Sequence, residues 1–161
     1  VIIVDGPAAG HALDLMRAPL QLKRAIGSGP ISSQADEVLA MLSDAHRCKV
    51  MMVTTPAITP VTETAEAADD IVESVHVNLT PIVVNKCEAL VPAIDVTHLS
   101  ADMRKAYQYA RDKQSAQEDA LAVLTDSLVL PQLHLSRQRL NGEELIDAIS
   151  DELSTAIAAL S

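Results

Sequence analysis

Four short apolar runs in this chain each end on residues able to do chemistry. Val1 to Val4 leads into Asp5-Gly6-Pro7, Val50 to Val53 into Thr54-Thr55-Pro56, Ile82 to Val84 into Asn85-Lys86-Cys87, and Leu128 to Leu130 into Pro131-Gln132. A carboxylate that closes a buried apolar strand, as Asp5 is expected to do, needs a cation or hydrogen-bond donors to offset its desolvation. A water held by Mg²⁺ is one such partner and local backbone N–H groups are another. Asn85 offers an amide donor and an amide acceptor, the pair a nucleobase edge requires, and is equally a residue type that caps or turns a chain. The histidines at 11, 46, 76, 98 and 134 show no metal-ligand spacing, and Cys48 and Cys87 form no CxxC. Neither a zinc site nor a disulfide framework is indicated, and buried thiols are the plain reading of both cysteines.

The elements that must position these residues follow from hydrophobic periodicity. None of the four runs alternates polar with apolar, the pattern of strands buried on both faces, and such parallel strands need helices covering the sheet. The intervening segments supply them. Val61, Ala65, Ala68, Val72 and Val75 fall on one stripe from Pro60 to Val75, with Thr59 as N-cap and Pro60 at the first helical position. A second helix is expected over Asp36 to Ala45, with Val38, Leu39 and Leu42 inward. A third spans Ala101 to Ser127, where a polar middle allows a restart at Ser115 with Glu118 as a capping box. The last runs from Gly142 to Leu160 behind Asn141, with Leu145, Ile149, Leu153, Ile157 and Leu160 as its stripe. Ala18 to Ser33 reads as a connector with one short helix at Gln21 to Ile26. The alternation predicts an α/β fold, a parallel sheet with flanking helices and right-handed crossovers, in a single domain over residues 1–161. Ligands of such sheets bind beyond the carboxyl ends of the strands, so all four tips are expected along one edge.

The run Asp5-Gly6-Pro7-Ala8-Ala9-Gly10-His11, followed by Leu13, Leu15 and Met16, resembles the signature D-T-A-P-T-G-H-T-x-R-x-L of the arsenite-pump and tail-anchored-protein-targeting ATPases. Asp, Gly and His match in register; Gly6 and Ala9 replace the threonines, Pro7 comes one place early, and Asp14 stands where arginine is usual. The resemblance continues through Val53-Thr54-Thr55-Pro56, Val61-Thr62-Glu63-Thr64 and Ile82-Val83-Val84-Asn85. It implies a P-loop NTPase-like fold of the deviant Walker A class, ATP and Mg²⁺ as cofactors, and a homodimer in the full-length parent. It further implies that Asp5 holds a magnesium-bound water and that Gly10 and His11 belong to a switch answering the γ-phosphate. By position, Asn85 and the Leu130-Pro131 segment would hold the adenine, and an apolar proline turn suits the flat face of a base. Asn85-Lys86-Cys87-Glu88 also resembles the N-K-x-D motif by which GTPases read guanine, with Glu88 one methylene longer than the aspartate.

Composition limits the alternatives. The chain has 161 residues and a net charge of −10, which would repel a phosphate backbone, so nucleic-acid binding is not expected. No run reaches the length of a membrane span and the opening lacks the basic region of a secretory signal, so membrane insertion is not expected and a cytoplasmic protein is. The sequence contains no G-x-x-x-x-G-K-[ST] loop, the part that cradles the β- and γ-phosphates. Opening inside an apolar run without an initiator Met, the chain reads as the C-terminal portion of such an ATPase domain, without hydrolysis of its own and with an unpaired sheet edge. Two other functions compete: a catalytically dead interaction module on the same fold, and a ParA- or MinD-like positioning ATPase.

Overall fold

Leu13 and Met16 share one face of α1 (Ala9–Ile26) in the computed structural model, which describes residues 1–160. Pro19 lies inside this helix and forfeits the bond to the carbonyl of Leu15. Leu15 itself is exposed. Lys23 and Arg24 occupy the last turn, where cations favour the helix dipole. Gly27 ends the helix with φ 74°, a left-handed backbone that favours glycine, and its N–H donates to the Lys23 carbonyl at 3.0 Å. Pro30 then opens α2 (Pro30–Ser43). The expected connector from Ala18 to Ser33 is thus helical apart from the turn at Gly27 to Gly29, and α2 begins before Asp36.

The residues form two compact units, one made of Val1–Met52 and Glu63–Thr80, the other of Val53–Thr62 and the chain from Pro81 onward. The first unit has an aliphatic core. Ile71 and Val75, from the helix α3 (Ile58–Val75), bury with Val77 against Leu13 and Met16 of α1, Leu39 and Leu42 of α2, and Val50 and Leu79. Val50 and Leu79 form a parallel bridge, with bonds of 2.9 Å from Val50 N–H to Asn78 and from Thr80 N–H to Val50. The α3 stripe departs from expectation in one place: Ile71 is buried at 2% exposure while Val72 stands at 40%. The buried row Val61, Thr64, Ala68, Ile71, Val75 alternates steps of three and four, and Val72 lies one residue off it. The helix also starts at Ile58, so Thr59 and Pro60 lie in its first turn and Thr59 is not its cap. Val38 of α2 is likewise exposed.

Val1 to Val4 is not a strand. The four residues carry no regular structure and belong to no ladder, and Ile2 and Ile3 are 92% and 89% exposed. Their composition suits a buried strand, but a strand persists only when a neighbour takes its N–H and C=O groups.

In the second unit, β1 (Val53–Thr54), β2 (Ile82–Cys87) and β3 (Gln132–Ser136) form a parallel sheet in the order β1-β2-β3. Val83, Leu133 and Leu135 point to one face, where Ile149, Leu153 and Ala156 of α5 (Gly142–Ala158) cover them. Ile82 and Val84 alternate to the other face and are fully buried. The helix α4 (Ala101–Ser127) is unbroken through Ser115 and is capped by Ser100, whose Oγ accepts the Met103 N–H at 3.3 Å. Its inward residues include Ala120 and Leu124. Asn141 precedes α5 in an extended conformation but makes no side-chain cap bond; Leu145, Ile149 and Leu153 of the expected stripe are half-buried, and Ile157 and Leu160 are exposed. The fourth apolar run is displaced from its strand. Leu128 to Leu130 follows α4, and the strand begins after Pro131, whose carbonyl accepts the Ile82 N–H at 2.9 Å.

Candidate functional site

The carboxyl edge of the second unit's sheet carries an irregularity in β2. Val84 pairs with His134 and Cys87 with Ser136, so Asn85 and Lys86 together oppose Leu135 alone. This bulge turns on Lys86, whose φ of 63° is left-handed, a conformation that costs a residue with a side chain about 1–2 kcal/mol. Asn85 supports it: its Oδ1 accepts the Lys86 N–H at 2.8 Å. Bulges of this kind bend a strand and re-aim its side chains, and they recur next to binding sites.

Beyond the bulge the chain is held at successive backbone groups by two nearly buried glutamines of α4. Gln117 Oε1 accepts the Glu88 N–H at 2.7 Å, and its Nε2 donates back to the Glu88 carbonyl at 3.4 Å. Gln114 Oε1 accepts the Val91 N–H at 2.9 Å while its Nε2 donates to Glu118. Arg111 donates to the Val91 carbonyl and the Tyr107 hydroxyl to the Pro92 carbonyl, both at 3.1 Å. The Glu88 carboxylate is taken up by Arg137 Nε at 2.8 Å and Lys113 Nζ at 3.2 Å. Both cations meet the same oxygen, Oε1, of the carboxylate that a guanine-reading motif would use.

The neighbouring tip is tied as firmly. Arg137 N–H donates to the Cys87 carbonyl at 2.8 Å, and Glu152 of α5 accepts both the N–H and the hydroxyl of Ser136, at 2.9 and 2.6 Å, together with Gln138 at 3.3 Å. The Ser136 hydroxyl is the main reason the Glu152 carboxyl titrates below its ordinary range. Burial pushes the Cys87 thiol up, so it stays protonated at neutral pH and is no ready nucleophile.

The residues expected to act together divide as follows. Asn85 lies at the carboxyl edge. Leu130 and Pro131 lie at the opposite, entry end of the same sheet, because the strand they were expected to close starts after them. Asn85 is three residues, about 10 Å, beyond Ile82, whose N–H meets Pro131. The segment that does follow the last strand at the carboxyl edge is Arg137-Gln138. Asp5 closes no buried strand and is exposed, so no desolvation penalty calls for a cation there. Gly10 and His11 are exposed in the first turn of α1, with His11 N–H donating to Ala8 at 3.0 Å. Outside the local helix backbone, no atom lies within 4 Å of where a Cβ on Gly10 would stand, so no other element packs onto this glycine. Among the described residues no group of three or more His, Cys, Asp or Glu side chains is placed to hold a metal ion.

The first unit has a separate open cleft of about 530 Å³ between α1 and the end of α3. Its Arg17 is held by Asp70 and, at 3.0 Å, Ser74, while Arg24 and Glu73 share the lining. Neither sign of charge dominates it.

Sequence periodicity missed Gln114, Gln117, Arg137 and Glu152. The two glutamines did leave a trace, since Gln114, Gln117, Ala120 and Leu124 continue one helical stripe at steps of three and four. No described helix is long and apolar enough to cross a membrane. In comparison with known proteins, no family model and no curated sequence matches the chain.

Proposed function

We propose that the second unit carries the base side of an adenine-nucleotide site, and that the chain is the C-terminal portion of an ATPase like the arsenite-pump and tail-anchored-protein-targeting enzymes. The observation that carries this reading is the bulge at Asn85-Lys86: a strained, left-handed residue at the carboxyl edge of a parallel sheet, in a loop immobilised by Gln114 and Gln117. Backbone strain held by its surroundings concentrates at functional sites, and carboxyl edges of parallel sheets are where ligands bind. Asn85 uses its Oδ1 on the chain itself, which leaves the Nδ2 donor for the ring nitrogen of a base. With Glu88 held by Lys113 and Arg137, adenine suits this edge better than guanine. Arg137-Gln138 takes the place first given to Leu130-Pro131. Hydrolysis, Mg²⁺ held through a water on Asp5, and coupling to a conformational change in a dimer belong to the parent enzyme; no chemical step is assigned to this chain.

The test is equilibrium binding of adenosine, ATP and guanosine to the chain, read by calorimetry or ligand-observed magnetic resonance. A site that touches only the base binds adenosine and ATP within about threefold of each other, because the loop that would reward the phosphates is missing. Guanosine binds more weakly, and Asn85→Ala costs adenosine about tenfold, the worth of one or two hydrogen bonds. Absence of adenosine binding, or an unchanged affinity in Asn85→Ala, would leave the interaction-module reading in its place.

A further inference from the structure

The chain has three asparagines, and two of them are held. Asn78 donates its Nδ2 to the Ser43 carbonyl at 3.0 Å, and its own carbonyl accepts the Val50 N–H beside the parallel bridge. Asn85 accepts the Lys86 N–H on its Oδ1. Asn141 differs on each count. It is exposed, closes a stretch without regular structure over residues 137–141, and makes no side-chain cap bond at the start of α5. It is also the one asparagine followed by glycine. Outside the local helix backbone, no atom lies within 4 Å of where a Cβ on Gly142 would stand. As the first residue of α5, Gly142 has an N–H among the donors that a helix leaves without an intrahelical partner.

These are the conditions under which an asparagine reacts with its own backbone. The Gly142 nitrogen gives its proton to water and attacks Asn141 Cγ; the new N–C bond closes a succinimide ring, and Nδ2 takes a proton from water and leaves as ammonia. A second water opens either carbonyl of the ring, to aspartate or to isoaspartate, whose main chain is longer by a methylene. At Asn78-Leu79 and Asn85-Lys86 the following side chain obstructs the attack and a hydrogen bond must break first, whereas glycine has no side chain and turns freely. The structure assigns Asn141-Gly142 as a self-modifying site, at which the chain deamidates while Asn78 and Asn85 are spared. The reaction uses no residue of the base site proposed above. Its position gives it a consequence: α5 covers Val83, Leu133 and Leu135, and its Glu152 holds Ser136 and Gln138. Isoaspartate lengthens the chain between Gln138 and α5, while aspartate keeps the length and sets a capping residue type before the free N–H groups of the helix.

The test is ageing of the purified chain at neutral pH, folded and in urea, with peptide mass analysis that follows amide loss at each asparagine and fragmentation that tells aspartate from isoaspartate. In the folded chain Asn141 loses its amide on the order of tenfold faster than Asn78 or Asn85, the worth of the one or two hydrogen bonds that hold each of those. In urea the rates at Asn78 and Asn85 rise, while that at Asn141 stays within about threefold of its folded value, less than one hydrogen bond is worth. Asn141→Gln abolishes the more acidic band that ageing produces on isoelectric focusing and leaves the far-ultraviolet circular dichroism unchanged. Asp5-Gly6 loses no ammonia and adds nothing to the amide count. An Asn141 amide that stays intact in the folded chain, equal rates at the three asparagines, or a larger rise at Asn141 in urea overturns the proposal.

Discussion

The loop after β2 and the segment from Asp5 to His11 carry the two groups of residues with the strongest chemical promise, and they are supported very differently. From Glu88 to Pro92 the backbone is met by side chains of α4 at nearly every turn, and Glu88 and Cys87 are tied to Arg137 as well. Asp5 to Ala8, Gly10 and His11 are exposed, and the backbone bonds here are those of a helix start at Ala8. A binding group is effective when its position is fixed before the ligand arrives, which requires a supporting layer of the first kind. Similarity of a short motif does not supply that layer. On this contrast the bulge at Asn85-Lys86 is the better-founded candidate.

The largest expected effect breaks the contrast directly. Gln117→Leu keeps the side-chain volume but strands the N–H and C=O of Glu88 in a nearly buried setting, at about 1–3 kcal/mol for an unsatisfied group. Urea unfolding should show the loss, with the slope of the transition unchanged. Next in size, Lys86→Gly sharpens the reading of strain. Glycine takes a left-handed φ freely, so the variant gains about 1 kcal/mol in the same assay while the order of the bulge, and with it adenosine affinity, declines. Smallest is Asp5→Asn, which should move stability by no more than about 0.5 kcal/mol, as for other exposed positions without partners. A large loss there would show that Asp5 is supported in a way the structure does not display.

Much of the framework was legible because burial on both faces leaves a mark in composition. Val50 to Val53 and Ile82 to Val84 lack alternation and lead into the parallel strands β1 and β2, and the Val61-Ala65-Ala68-Val75 stripe is buried. Legibility failed where pairing or partnership decides. Val1 to Val4 has the same composition as the real strands and no neighbour, a fact no local pattern records. β3 was passed over because it alternates, Gln-Leu-His-Leu-Ser, as a strand covered by α5 on one face and open on the other must. Its neighbour Leu128, buried at the close of α4, drew the assignment instead. Pro19 argued against a helix that packing of Leu13 and Met16 sustains. The polar middle of α4 looked like a weak point, yet Gln114 and Gln117 face inward there. The candidate site was half legible for the same reason: Asn85 announced itself by type and place, whereas the residues that hold its loop sit more than twenty positions away.

One bond gives the molecule a built-in optical gauge. The chain has no tryptophan and two tyrosines, and Tyr107 spends its hydroxyl on the Pro92 carbonyl at the far end of the clamped loop. Tyrosine emission responds to what its phenol donates to, so occupancy at the bulge that slackens or tightens residues 88–92 is registered without any attached dye. Tyr109, two positions on and largely open to solvent, has Lys113 Nζ 5.5 Å over its ring, and Lys113 also holds Glu88, so its emission is tied to the same loop.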